Sequence, residues 1–304
     1  MKTRLKLITG LIALLLFVPN LFAQAKDQVE KVKAALPAKA PVQVKTPRKI
    51  LVYTKTLGYR HGSIPIGTEA IKLMGEKTGA YTIEHSEDPA MFDENRLKQF
   101  DAVLFLNTTG DCLAPKRGKL SAEEQATLEQ RQKNLINFVK SGKGFAGIHS
   151  ATDTFYNWKE YGDLIGAYFT NHPWGKVPLK VDSPDHPLTG MFNSKGFVYS
   201  DEIYQFGPKS RANKYKNYQP YSRDNLRILL SIDVSKWDGK GLRPDQDYGI
   251  SWIRNYGKGR VFYCVLGHSN QTYWKESVLQ HYLTGLQFVL GDLKADATPS
   301  AKIK

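Results

Sequence analysis

Cysteine is scarce in this chain of 304 residues, with only Cys112 and Cys264. Two thiols cannot build a disulfide framework, so the fold must be held by a hydrophobic core rather than by cross-links. In an oxidising compartment the two could pair, but Cys264 lies in an apolar run, Val261 to Leu266, and Cys112 in a turn, so two buried free thiols are the favoured reading. Beyond Phe22 no apolar stretch is long enough to span a bilayer, so no integral membrane segment is expected in the remainder. No internal repeat is present, which excludes solenoids and propellers. Acids are outnumbered, 29 Asp and Glu against 43 Lys and Arg, for a net charge of +14.

That basic excess gathers in segments that read as peripheral, Lys26 to Arg48 and Lys209 to Lys216. It is read as solubility, with attraction to acidic envelope polymers, and not as a nucleic-acid surface. The amino terminus explains why. Met1 to Lys6 is basic, Leu7 to Phe22 is mostly apolar, and Ala23-Gln24-Ala25 is a small-residue cleavage site. Residues 1–25 are thus expected to be a secretory signal peptide, and the protein periplasmic or secreted. Residues 26–47, rich in Ala, Lys, Val and Pro, are expected to be a flexible linker, residues 48–291 one folded domain, and 292–304 a flexible tail.

Within 48–291 short apolar runs alternate with helical periodicity. Strands are expected at Lys49 to Tyr53, Tyr81 to His85, Ala102 to Leu106 and Phe145 to Ile148, with helices from Pro65 to Thr78 and from the capping box at Ser121-Ala122-Glu123-Glu124. This order implies right-handed crossovers and a mainly parallel central sheet. Later strands are expected at Val177 to Val181, Phe197 to Tyr204, Arg227 to Ile232, Ile250 to Arg254 and Arg260 to Leu266, before a helix from Lys275 to Leu290.

Four polar segments follow apolar strands and would converge on one sheet edge: Arg60-His61, Asn107 to Asp111, His149 to Asp153, and Gly267 to Asn270. Three of the seven histidines fall among them. His172 follows the aromatic pair Tyr168-Phe169, and Asp201-Glu202 sits among Tyr199, Tyr204 and Phe206, a composition common in sugar sites. Simple alternation would instead turn Asp201 to solvent. Nothing indicates a nucleotide cofactor.

Gly58-Tyr59-Arg60-His61, Asn107 to Asp111, Gly147-Ile148-His149-Ser150-Ala151-Thr152-Asp153, Asp185-His186-Pro187, Asp201-Glu202-Ile203-Tyr204 and Leu266-Gly267-His268 together resemble the trehalose-utilisation (ThuA-like) family. The resemblance runs from about residue 49 to 291. It implies an α/β, three-layer flavodoxin-like sandwich similar to class I glutamine amidotransferases. His149 stands where those enzymes carry their nucleophilic cysteine and Asn270 replaces an acid, so glutaminase chemistry is not expected.

What the family implies is carbohydrate chemistry, in particular on 3-keto-glycosides, by glycosidic cleavage through elimination and hydration or by isomerisation. His149 and His268 are expected as catalytic residues. With His61 they would alternatively hold a divalent metal such as zinc. Arg60, Asp111, Asp153, His172, Glu202 and Tyr204 are expected to bind a small carbohydrate. A homo-oligomer is compatible with this. Two other readings stay open: a non-catalytic sugar-binding protein, and a hydrolase using Ser150 with His268.

Overall fold

The computed structural model describes residues 25–207, 218, 220–239, 241 and 243–303. The expected signal peptide, except Ala25, and most of the basic loop from Lys209 lie outside the described residues. Among the described residues no helix is long and apolar enough to cross a membrane.

Nine strands form one sheet: β1 (Lys49–Tyr53), β2 (Thr82–Ser86), β3 (Ala102–Leu106), β4 (Gly144–Ile148), β5 (Lys176–Val181), β6 (Phe197–Ser200), β7 (Arg227–Ile232), β8 (Gly249–Tyr256) and β9 (Gly259–Cys264). The helices are α1 (25–35), α2 (Ile64–Thr78), α3 (Glu94–Leu97), α4 (Ala122–Lys140), α5 (Lys159–Ile165) and α6 (Glu276–Leu290). The strand order is β2-β1-β3-β4-β9-β8-β7-β5-β6. The first five are parallel and the last four alternate antiparallel from β9 outward, joined by the β8–β9 hairpin at Gly257. The expected mainly parallel α/β sandwich is thus present, with the antiparallel strands confined to one side.

Burial on both faces explains why β3 and β4 are apolar throughout; every residue of each is buried. The two glycines of β4 show how closely the layers approach. A Cβ at Gly144 would lie 2.6 Å from the Val289 carbonyl of α6, while one at Gly147 would touch Ile165 of α5 at 3.1 Å, on the opposite face. The α4 start is the expected capping box, with Ser121 and Glu124 each accepting from the other's backbone N–H. Both cysteines are buried free thiols.

Three expectations are corrected. Residues 26–47 are not a flexible linker: 25–35 form α1, Val32 is fully buried, and Val42 exchanges two hydrogen bonds with the buried Gln287 side chain. Alanine and lysine favour helix, and Val29, Val32 and Leu36 recur at helical spacing against the core. Residues 292–304 are likewise anchored up to Ile303. Asp292 pairs with Arg48 at 2.6 Å, Leu293 packs on the core, and Ser300 bonds Leu226 and Ile228. Finally, β6 stops at Ser200, and residues 201–204 turn inward as a buried segment rather than continuing the strand.

His281 of α6 offers a test of this packing. It is wholly enclosed, its Nδ1 donates to the Leu188 carbonyl at 2.7 Å, and Nε2 faces the Ser251 hydroxyl at 2.8 Å. Burial lowers its pKa from 6.5 to about 4. The unfolded chain therefore takes up a proton that the folded chain refuses. Stability from this group is full above pH 6.5 and is lost as pH falls toward about 4, amounting to about 3 kcal/mol. Urea unfolding of the wild type across that window should be steeper in pH than that of His281→Gln; equal slopes would contradict the buried, neutral assignment.

Candidate metal centre

β4 ends at Ile148, and the chain turns at once into a single 3-10 turn, His149–Thr152. His149 holds φ at +52°, a left-handed conformation uncommon for a side-chain-bearing residue. That turn throws the imidazole across the carboxyl edge of the sheet. Its Nδ1 donates to the Val265 carbonyl at 2.9 Å, just past β9, which leaves Nε2 as the inward-facing nitrogen. Asn107, ending the neighbouring β3, has φ +53° and helps build the same edge.

Three other donors meet His149 Nε2. His61 Nε2, from the turn after β1, is 3.2 Å away. His268 Nδ1, after β9, is 3.3 Å away, and Glu202 Oε2, after β6, is 3.1 Å away. Glu202 Oε2 also lies 2.7 Å from His268 Nδ1. All four ligand atoms fall within 4.8 Å of one another. An ion with bonds of about 2.0–2.1 Å in tetrahedral geometry sets its ligand atoms about 3.3 Å apart. The three separations from His149 Nε2, 3.1–3.3 Å, match that spacing, while Glu202 and His268 sit closer at 2.7 Å; three imidazoles with one carboxylate form a donor set suited to zinc and its neighbours.

The protons reinforce the geometry. Neutral His149 spends its one proton on Val265, so its Nε2 lone pair faces a carboxylate oxygen at 3.1 Å. Two lone pairs in buried contact repel, and a cation at the common point, or a second proton on His149, removes the conflict. Burial, reinforced by the neighbouring His149 and His268, drives His61 down to about 3, which keeps its imidazole neutral at neutral pH; with its one proton on Nδ1, toward the Ser150 hydroxyl at 3.3 Å, Nε2 turns a lone pair to the cluster. For Glu202 burial acts to raise the pKa, but hydrogen bonds and charge from His149 and His268 outweigh it and hold the carboxyl well below the usual range, which places a proton between Glu202 and the imidazoles as the alternative to a cation.

Neighbouring groups fix these donors. His172 Nε2 bonds Glu202 Oε1 at 3.0 Å, turning Oε2 toward the imidazoles; burial lowers the His172 pKa, and its Nδ1 makes no hydrogen bond within the described residues. The Tyr204 ring lies 4.3 Å from that of His149, and Phe169 backs Tyr204 at 4.1 Å. Ser150 is fully buried and its hydroxyl faces His61 Nδ1 at 3.3 Å, so the pairing with His268 that a Ser150 hydrolase needs is absent. Solvent reaches the donors past His268 and His172, whose side chains are 21% and 25% exposed, whereas that of His149 is 0% exposed.

Other expected site residues are placed differently. Arg60 turns outward to pair with Glu87 at 2.7 Å. Asp111 is exposed and lines, with Leu57, Lys116 and Arg117, a cavity of about 680 Å³ that includes none of the four donors. Asp153 accepts from Tyr156 and is not among the donors.

Alternation along the aromatic strand missed the role of Asp201. It is buried, and its carboxylate accepts from Gly267 N at 3.3 Å, Ser269 N at 3.1 Å, Ser269 Oγ at 2.7 Å and Thr272 Oγ1 at 3.0 Å. It thus fastens the loop that carries His268. Gly267, at φ +151°, lies against Ile148, where a Cβ would come within 2.7 Å. The adjacent pair Asp201-Glu202 therefore divides two tasks, loop anchor and donor. Asp201→Ala should leave these backbone donors unpaired, cost about 1–3 kcal/mol, and speed amide exchange over residues 267–272; unchanged exchange there would refute the anchoring role.

The chain matches the family described as trehalose utilisation, ThuA, over residues 49–289. A ThuA-like protein from Bacteroides uniformis has a similar fold, with TM-score 0.59, 20% identity, and coverage of 86% of this chain and 98% of that one. Another, from Parabacteroides merdae, gives TM-score 0.55 at 15% identity over 85% of this chain and 100% of its own. No curated protein matches in sequence. The family match spans the whole sheet and all four donors, and the chain therefore belongs to the ThuA, or trehalose-utilisation, family, with the carbohydrate-related role that this supports.

Proposed function

We propose that this protein is an exported, metal-dependent enzyme that acts on a 3-keto-glycoside and cleaves its glycosidic bond by elimination. The observation that carries the reading is the convergence of His61 Nε2, His149 Nε2, His268 Nδ1 and Glu202 Oε2 on one point, with a lone-pair conflict at His149 that a cation would resolve. Export rests on the amino-terminal pattern of charge, apolar run and small-residue site. The sugar reading rests on the family.

A keto group acidifies the adjacent C–H, so the reaction requires a proton acceptor and an electrophile at the carbonyl. A divalent cation held by the four donors would act as that electrophile, polarising the carbonyl. His172 is the ring beside the donors that is not itself one. With its Nε2 proton held by Glu202, its unpartnered but enclosed Nδ1 is assigned as the acceptor for the α-proton, which requires the substrate to displace the atoms that cover it. The C–O bond to the glycosidic oxygen on the neighbouring carbon then breaks, the oxygen leaves as the alcohol by taking up the proton from His172, and water adds to the enone. The wholly buried His149 is assigned to holding the metal rather than to moving protons.

Purified wild-type protein should contain about one equivalent of a transition metal, held by these side chains with a position left for the substrate carbonyl. His149→Ala should lose both the metal and turnover of a 3-keto-glucoside. His172→Ala should keep the metal and lose turnover by about 10²-fold or more. Wild-type turnover in His149→Ala would end the proposal. Saturable sugar binding without product in the wild type would favour a binding protein instead.

A further inference from the structure

Among the described residues four large apolar side chains are exposed: Tyr59, Trp174, Val198 and Ile303. Val198 belongs to the edge strand β6 and Ile303 to the last described turn, places where exposure needs no explanation. The other two stand against the donor cluster. Tyr59, 64% exposed, meets the His61 ring edge-on at 4.8 Å between centroids. Trp174, 61% exposed, meets His268 at 4.9 Å and His172 at 5.2 Å, also nearly perpendicular.

Their backbones are firmly held although their rings face water. Thr109 Oγ1 accepts from Gly58 N at 3.0 Å and donates to the Tyr59 carbonyl at 2.8 Å, and a Cβ at Gly58 would collide with that hydroxyl. On the other side Asn171 and Gln205 form an antiparallel bridge, and Ile203 N donates to the Pro173 carbonyl. That ties the Trp174 loop to the segment bearing Glu202 and Tyr204. A fixed backbone presenting an aromatic to solvent beside a polar centre is a prepared contact surface, since leaving so much apolar area in water is unfavourable until something covers it.

We propose that Tyr59 and Trp174 are stacking platforms for a closed pyranose ring seated over the donor cluster. This rests on the reading above only in placing a carbohydrate at this site, and not on the metal. The negative face of an aromatic ring attracts the weakly positive C–H groups that a pyranose displays across its flat face. An open-chain sugar or polyol displays no such face. The inference therefore narrows the chemistry: the substrate enters as an intact glycoside ring, which favours elimination within a pyranoside over isomerisation of an open-chain sugar.

Calorimetric titration of the full-length protein with trehalose, methyl α-D-glucopyranoside and the open-chain polyol D-glucitol tests this. Both pyranosides should bind and glucitol should not. Tyr59→Ala and Trp174→Ala should each weaken pyranoside binding about fivefold to tenfold, while Trp174→Phe stays within about twofold because a ring face remains. The metal content of all three variants should equal that of the wild type, which separates loss of stacking from damage to the centre. Alanine variants that bind as the wild type does, equal binding of glucitol, or no binding of either pyranoside would overturn the inference. Pyranoside binding that depends on the rim, in a protein without metal or turnover, would support it and sink the enzymatic reading alone.

Discussion

Everything at the carboxyl edge of this sheet depends on one electrostatic constraint: three imidazole nitrogens and a carboxylate oxygen share a space only a few ångströms across, mostly out of reach of water. Such groups repel unless protons or a cation lie between them. Val265 takes the one proton that neutral His149 could have used inside the cluster. The site thus needs a proton or a cation between its inward-facing nitrogen and oxygen atoms, and the surrounding structure serves to keep those atoms there.

That support comes from distant parts of the chain. Just before the left-handed turn at His149, Gly147 lets the strand pass close to its neighbours, where a Cβ would meet Ala151, Ile165 and Tyr263. The His268 loop is held from two sides. Asp201 binds its N–H and hydroxyl groups, and the Gly267 carbonyl accepts from Ser63, Asn107 and Tyr273. Ser63 follows β1 and Asn107 follows β3, so the loops after β1, β3, β4 and β9 are locked into one unit. The outer, antiparallel part of the sheet contributes through β6, whose exit carries both Asp201 and Glu202. A flavodoxin-like parallel core alone would lack the fourth donor.

The parallel half of this arrangement is legible in the sequence, because apolar strands followed by polar turns have a strong and local signature. His61, His149 and His268 could be brought together from that pattern alone, since each follows a strand that must point the same way. Glu202 and Asp153 both read as acids that could join the histidines, and the choice between them depends on β6 ending at Ser200, which alternation does not reveal. For the same reason Asp201 reads either as a sugar-binding acid or as solvent-facing, and neither is the loop anchor that it is. Arg60 and Asp111 share the right loops yet point elsewhere, because sequence position fixes the loop and not the side-chain direction. The two terminal segments read as flexible from Pro, Lys and Ala content, and their anchoring through Gln287 and Asp292 is a long-range pairing that composition cannot show.

The central claim is that these four side chains are a cation site. Anomalous diffraction from crystals of the protein, collected on both sides of the zinc absorption edge, tests it directly. The account predicts one strong peak about 2.0–2.2 Å from His61 Nε2, His149 Nε2, His268 Nδ1 and Glu202 Oε2, persisting when the protein is purified without added metal. A site without anomalous signal at any first-row transition-metal edge, even after soaking with zinc, would contradict it.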